Sequence, residues 1–219
     1  MKAVLFDWDG TLVDTGGMVL DAHNHVRKIH NLPLWEAEDI FGRVSRSARE
    51  TYPKIYGDRA AEAQKQLYEF VDKHHLEYLE VLDGASAILG SLAEKNIPVG
   101  VVSNKRHEVL LKEITQLGWD RYIKAAVGAG EAEEDKPSAQ PFRLAMRRVD
   151  EALTPRDILY VGDTETDMLC ARNTGVECVY IHHGNPRAVL LETYAPSFSC
   201  ANLSELQDYL SASLEKKAC

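Results

Sequence analysis

The sequence predicts an α/β fold: a parallel sheet with helices on both faces, plus an inserted all-helical block. Three observations predict it. Short, β-rich apolar runs alternate with amphipathic segments through most of the chain, as strand–helix–strand units do. Residues 16–80 break that rhythm and carry no convincing strand. Acidic residues recur just after the apolar runs, where open α/β sheets bind their ligands.

The predicted strands are 3–6 (AVLF), 98–102 (PVGVV), 123–127 (IKAAV), 158–161 (ILYV) and 177–181 (ECVYI). Between them, Ala85, Ile88, Leu89 and Leu92 recur at i, i+3, i+4 and i+7, as do Phe142, Ala145, Met146 and Val149. That spacing puts each set on one face of a helix. Leu110, Ile114 and Leu117 make a weaker stripe. Leu203, Leu206, Leu210 and Leu214 predict a last helix, with Asn202 as its cap. Within 16–80 the pattern predicts helices near 18–30, 45–55 and 59–79, with turns at Pro33, Gly42 and Gly57. The expected division is therefore an α/β core of 1–15 and 81–219 and an inserted helical domain of 16–80. Gly16–Gly17 and Leu82–Asp83–Gly84 are the expected hinges.

Composition narrows the function. The 219 residues are 45% hydrophobic and 27% charged, as in an ordinary globular protein. A net charge of −9 argues against general nucleic-acid binding, which needs basic surface. No run approaches the ~18 apolar residues that span a bilayer, and Asp7 and Asp9 interrupt anything resembling a signal peptide. Cys170, Cys178, Cys200 and Cys219 are scattered without a CxxC pair, which predicts free thiols and a cytoplasmic setting.

The strand ends carry the chemistry. Asp7 and Asp9 follow the first strand, in VLFDWDGTLVDT. Two like charges so close raise each other's pKa and oppose folding. Ser103, Asn104 and Lys105 follow the second strand, Lys136–Pro137 lies after the third, and GDTETD, with Asp163 and Asp167, follows the fourth. Brought to one sheet edge, these carboxylates imply a hard divalent cation, Mg²⁺, which takes oxygen ligands and screens them from one another. One carboxylate could then attack phosphorus while a second protonates the leaving oxygen. For Asp163 and Asp167, helix capping is a competing reading, and both roles can coexist.

The motifs DWDGTLVDT (7–15), VVSNK (101–105), DKPSAQP (135–141) and VGDTETDM (161–168) together make the chain resemble the haloacid dehalogenase-like hydrolases, in particular the phosphoglycolate phosphatase-like subgroup. The resemblance covers essentially the full length. It implies a Rossmann-like core with a helical cap inserted after the first strand, and an Mg²⁺-dependent phosphatase working through an aspartyl-phosphate. Asp7 would be the nucleophile and Asp9 the general acid/base. Ser103 and Asn104 would hold phosphate oxygens, and Lys136 would bind phosphate and Asp7. Thr11 is placed with the phosphate-binding group, or as an orienter of Asp9 or its neighbours. The metal would be held by a side-chain oxygen of Asp7, the main-chain oxygen of Asp9 and Asp163, with Asp167 a ligand or an acceptor behind them. Asp9 stands where the true dehalogenases carry an aromatic residue, which argues for phosphate esters.

The expected substrate is a small soluble phosphomonoester, phosphoglycolate by resemblance, with a nucleotide or sugar phosphate as alternatives. A phosphoglucomutase-like transferase and a non-catalytic binding module are the rival functions. The chain is expected to act as a monomer or homodimer, with neither nucleic acid nor membrane as partner. In the cap, FGRVSRSARE places arginines at 43, 46 and 49. Arg43 and Arg46 are candidates to read the leaving group, since arginine binds anions through a bidentate fork. The competing reading is a solvated helix face paired with Glu50. Trp8 and Cys170 read as core residues and the histidines as surface or partly buried ones, although His183 or Asn185 could reach substrate.

Overall fold

The computed structural model describes residues 1–37 and 46–215. Its centre is a six-stranded parallel sheet built from β1 (Ala3–Phe6), β4 (Val99–Arg106), β5 (Ile123–Ala129), β6 (Ile158–Gly162), β7 (Glu177–Ile181) and β8 (Phe198–Cys200), in the order β5-β4-β1-β6-β7-β8. The chain leaves β1 for β4 on one side and later returns to β6 on the other. The order therefore reverses beside β1, and a crevice opens there at the carboxyl ends of the strands.

Side chains alternate across β1. Val4 and Phe6 join one core layer with Ile88, Leu89 and Leu92 of α4 (Ala85–Glu94), Leu110 and Ile114 of α5 (His107–Gln116), and Leu203, Leu206 and Leu210 of α9 (Leu203–Glu215). Ala3 and Leu5 join the opposite layer with Phe142, Ala145 and Val149 of α6 (Ala139–Val149), Met168 of α7 (Glu165–Thr174) and Leu190 of α8 (Ala188–Tyr194). Both faces of the strand are apolar because both are covered. Each large side chain buried this way contributes about 1.5–3 kcal/mol. The expected stripes thus face the core, and Asn202 accepts from the Glu205 N–H at 3.0 Å, as its predicted capping role requires.

A separate apolar cluster holds α1 (Gly16–Ile29), α2 (Ala48–Tyr56) and α3 (Ala60–His74) together through Met18, Ala22, Val26, Tyr52, Tyr56, Ala63 and Leu67. The two chain crossings between this helical block and the sheet form a small antiparallel ribbon, β2 (Val13–Asp14) on β3 (Glu80–Val81). Leu82 extends it by donating its N–H to the Leu12 carbonyl at 3.1 Å. Gly16 and Gly17, one of the two expected hinges, begin α1. Among the described residues, no helix is long and apolar enough to cross a membrane. Cys170, Cys178 and Cys200 are free and buried, and Cys219 lies outside the described residues.

Candidate active site

The carboxyl ends of β1, β4, β5 and β6 deliver the predicted residues to one place. Carboxylate oxygens of Asp7, Asp163 and Asp167 lie within 4.8 Å of one another. Such an approach needs backbone with no side chain in the way. Gly10 adopts φ +77°, and a Cβ there would collide with the Asp163 carboxylate. A Cβ at Gly162 would collide with Asp167.

Lys136 enters this cluster from the loop after β5. Its Nζ donates to Asp7 Oδ1 at 2.6 Å and to Asp167 Oδ1 at 2.7 Å, with the Tyr160 hydroxyl at 3.1 Å. Asp167 is wholly buried and fully occupied. Its Oδ1 also accepts from Tyr160 at 2.8 Å, and its Oδ2 accepts from the N–H and hydroxyl of Thr164 at 3.0 and 2.5 Å. Thr164 is the N-cap of α7 in a capping box closed by Asp167. Capping and site-building therefore coincide at Asp167, and its lone pairs are taken up by protein donors.

One ammonium among three carboxylates leaves a surplus of negative charge, and the carboxyls register it. Burial pushes Asp7 up to about 7, with Asp167 adding to the rise and Lys136 opposing it. Burial, then Asp167 and Asp7, lift Asp163 well above the ordinary carboxylate range. At Asp167 burial also acts upward, but Lys136 and the hydrogen-bond donors outweigh it and the carboxyl sits low. Burial acts downward on Lys136, yet Asp167 and Asp7 hold it above its usual value. Lys136 touches Asp7 and Asp167 at nearly equal distances, and its single charge does not balance three carboxylates. Oxygen-only donors with a surplus of negative charge suit a hard divalent cation.

Asp9 stands apart from the three-carboxylate cluster. Its Oδ1 accepts from the Thr15 hydroxyl and from Lys105 Nζ, the latter at 2.7 Å. It lines a cavity of about 690 Å³ between the strand ends and α1, α2 and α3. Ser103 is buried, lines the same cavity, and accepts from the Lys105 N–H at 3.0 Å. Asn104 also lines it, but its amide grips the main chain of Lys136. Oδ1 accepts from the Lys136 N–H at 2.9 Å, and Nδ2 donates to the Lys136 carbonyl at 3.0 Å. Thr11 needs a correction as a phosphate-binding residue. It is fully buried, and its hydroxyl donates to Asp163 Oδ1 at 3.1 Å, so it orients a neighbouring carboxylate instead.

In the helical block, Arg46 lines the cavity and lies 3.8 Å from Glu50. Arg43 lies outside the described residues. His183 does not line the cavity; its Nε2 is 2.5 Å from the Gly10 carbonyl. Trp8 packs edge-on against Trp119, as a core residue should, and also donates Nε1 to Glu113 at 2.7 Å. Tyr160, Thr15, Glu113 and the Arg49–Asp135 pair, bonded at 2.5 and 2.7 Å, escaped the sequence reading. Asp135, immediately before Lys136 in an acidic run, was the available signal for that pair.

This chain matches the haloacid dehalogenase-like hydrolase family over residues 4–181. The chain belongs to that family. A pyrophosphatase PpaX of Bacillus anthracis is 25% identical over 211 residues, covering 96% of this chain and 97% of its own. A haloacid dehalogenase-like family hydrolase from Streptococcus pneumoniae superposes with a TM-score of 0.83 at 22% identity, covering 96% of this chain and 98% of that one. A predicted phosphoglycolate phosphatase from Haemophilus somnus also gives 0.83, at 20% identity and the same coverage. At such identities the two structures speak for the fold alone. The haloacid dehalogenase-like hydrolase fold therefore accounts for the sheet, its strand-end crevice and the helices over it.

Proposed function

We propose that this hydrolase is an Mg²⁺-dependent phosphatase that cleaves a small soluble phosphomonoester through an aspartyl-phosphate on Asp7. The observation that carries the reading is Lys136 Nζ, buried between Asp7 and Asp167 beside Asp163. A lysine so placed orients a carboxylate nucleophile and meets the charge of an incoming phosphoryl group. Asp7 and Asp163, with the main-chain oxygen of Asp9, would hold Mg²⁺, and Asp167 would support them from behind. Bound there, Mg²⁺ would offset the negative charge of carboxylates and phosphate.

In the first step a carboxylate oxygen of Asp7 bonds to phosphorus as the ester P–O bond breaks, and Asp9 gives its proton to the leaving oxygen. In the second, water bonds to the same phosphorus, Asp9 takes the proton of that water, and the acyl-phosphate P–O bond breaks to release phosphate. Ser103 holds a phosphoryl oxygen, Asn104 fixes Lys136, and Thr11 fixes Asp163. The block of residues 16–80 acts as a cap that closes the cavity against water.

The name of the Bacillus relative motivates a second reading, pyrophosphate as substrate. Charge in the cavity favours an organic ester. Among the described residues, each lysine and arginine lining it already faces a carboxylate: Lys105, Lys136, Arg46, Arg49 and Arg106. An additional anionic group, on pyrophosphate or on a phosphorylated acid alike, meets no unengaged lysine or arginine among those residues. Phosphoglycolate, the ester suggested by resemblance, is the first to test. A panel of phosphate esters and pyrophosphate, read by released phosphate with and without Mg²⁺, decides. Turnover of organic esters supports the proposal, and release from none of them rejects it.

A further inference from the structure

The arrangement around Lys136 has a counterpart 31 positions earlier in the chain. Lys105 Nζ lies 2.7 Å from Asp9 Oδ1 and 2.7 Å from Glu113 Oε2. Glu113 belongs to α5 and is wholly buried, as Asp167 is. Both of its oxygens are engaged, with Trp8 Nε1 at 2.7 Å on Oε2 beside Lys105, and His75 Nδ1 at 3.0 Å from Oε1. In both halves of the site a buried lysine joins a cavity-facing aspartate to an inaccessible acceptor carboxylate. A helix surface position is normally where a glutamate sits, and burying a carboxylate costs several kcal/mol unless it is fully partnered. A structural role alone does not require Glu113 to end on Lys105.

We propose that Glu113 is a positioning residue for Asp9, acting through Lys105. This rests on the reading of Asp9 as the acid/base. Alone with Asp9, Lys105 would be free to swing with it into the cavity. Anchored on Glu113, its ammonium is fixed in space and fixes the Asp9 carboxylate in turn. The anchor also reports on the helical block. His75 follows α3, and Thr15, the other donor to Asp9, precedes α1. Asp9 is therefore held from both chain crossings, and its orientation is tied to the seating of that block.

A general acid matters most when the leaving group is a poor one. The test compares kcat/KM for an alkyl phosphate with that for p-nitrophenyl phosphate, whose leaving group departs without a proton. Glu113→Gln should lower the alkyl-to-aryl ratio at least ~10-fold, in the direction produced by Asp9→Asn. Lys105→Met should do the same, and it carries the test if Glu113→Gln fails to fold, since Glu113 then keeps Trp8 and His75 as donors. Equal loss on both esters would overturn the positioning role while leaving the phosphatase reading intact. If Asp9→Asn itself leaves the ratio unchanged, the acid/base reading falls and this inference with it.

Discussion

Lys136 Nζ sits 2.6 Å from Asp7 Oδ1, inside a site where both groups are buried. The contact orients the Asp7 carboxylate toward the cavity that it lines. Asn is close in shape to Asp but cannot attack phosphorus. Asp7→Asn should therefore fold and lose turnover by ~10⁴-fold or more, as when a nucleophile is removed elsewhere. Phosphate release on the best ester of the panel measures it. A rate near that of the parent would assign the chemistry to another group.

Asp9 faces the cavity with one oxygen held by Thr15 and Lys105. If it shuttles the proton in both steps, Asp9→Asn should slow turnover by roughly 10² or more. The loss should appear in kcat, because the asparagine still fills the same space. An unchanged kcat with a raised KM would make Asp9 a binding residue only.

The raised carboxyls predict how stability responds to pH and metal. Asp7 titrates near 3.8 when unfolded and about 7 when folded. Between those values the native state keeps a proton that the unfolded chain has lost, so stability falls as pH rises through that window. Asp163 acts in the same direction. Asp167, depressed by Lys136, acts oppositely, and its contribution is lost only as pH falls below the ordinary carboxylate range. His23, held down at about 4 by burial, acts the other way between about 4 and 6.5, so the comparison belongs above that range: in EDTA the melting temperature at pH 6.5 should exceed that at pH 8 by a few degrees. Mg²⁺ should raise it more at pH 8 than at pH 6.5, since it competes with protons for the same oxygens. Equal Mg²⁺ effects at the two pH values would argue against a site built on Asp7 and Asp163. EDTA should also silence phosphate release and Mg²⁺ restore it.

The parts of this site that sequence could convey share one property: they follow strands. Asp7, Ser103, Lys136 and Asp163 come after apolar runs whose length and β-branched content announce them. Five of the sheet's strands were legible for the same reason. β8 was not, because three residues, Phe198–Cys200, are too few to show a period. The β2–β3 ribbon is shorter still. Glu113 was illegible for a different cause. On the period of α5 it sits beside Leu110 and Ile114, and nothing local says that a glutamate is buried; only Lys105, Trp8 and His75, brought from three other segments, make it so. Of the two roles expected of Thr11, its hydroxyl takes the orienting one, on Asp163, since local sequence does not fix which carboxylate a hydroxyl meets.

Specificity for a carboxylated ester should fall on Arg43. Among the described residues every lysine and arginine lining the cavity is engaged, so the test falls on the arginine that the sequence singled out. Arg43→Ala should raise KM for phosphoglycolate by ~10-fold or more while affecting an uncharged alkyl phosphate far less, as loss of one charge-assisted bond implies. Parallel KM values across the panel would remove Arg43 from substrate recognition.

Arg49 fastens the helical block to the loop that carries Lys136. From α2 its guanidinium forks onto Asp135 at 2.5 and 2.7 Å and reaches the carbonyls of Ala132 and Glu133 at 3.1 Å. Asp135 is almost wholly buried, whereas Arg49 is about a third exposed, with side-chain values of 1% and 34%. The partial exposure of Arg49 weakens the pair, but its loss strands a buried carboxylate one residue from Lys136. Arg49→Ala should therefore destabilise the protein by about 1–3 kcal/mol, less than for a fully buried pair. It should also lower kcat/KM, because the loop and the block lose their shared anchor. Asp135→Asn in the Arg49→Ala background should recover part of the stability by removing the stranded charge. Denaturant unfolding of the two single variants and the double variant gives the coupling. Strict additivity would show that the bond contributes nothing to holding the helical block against the sheet.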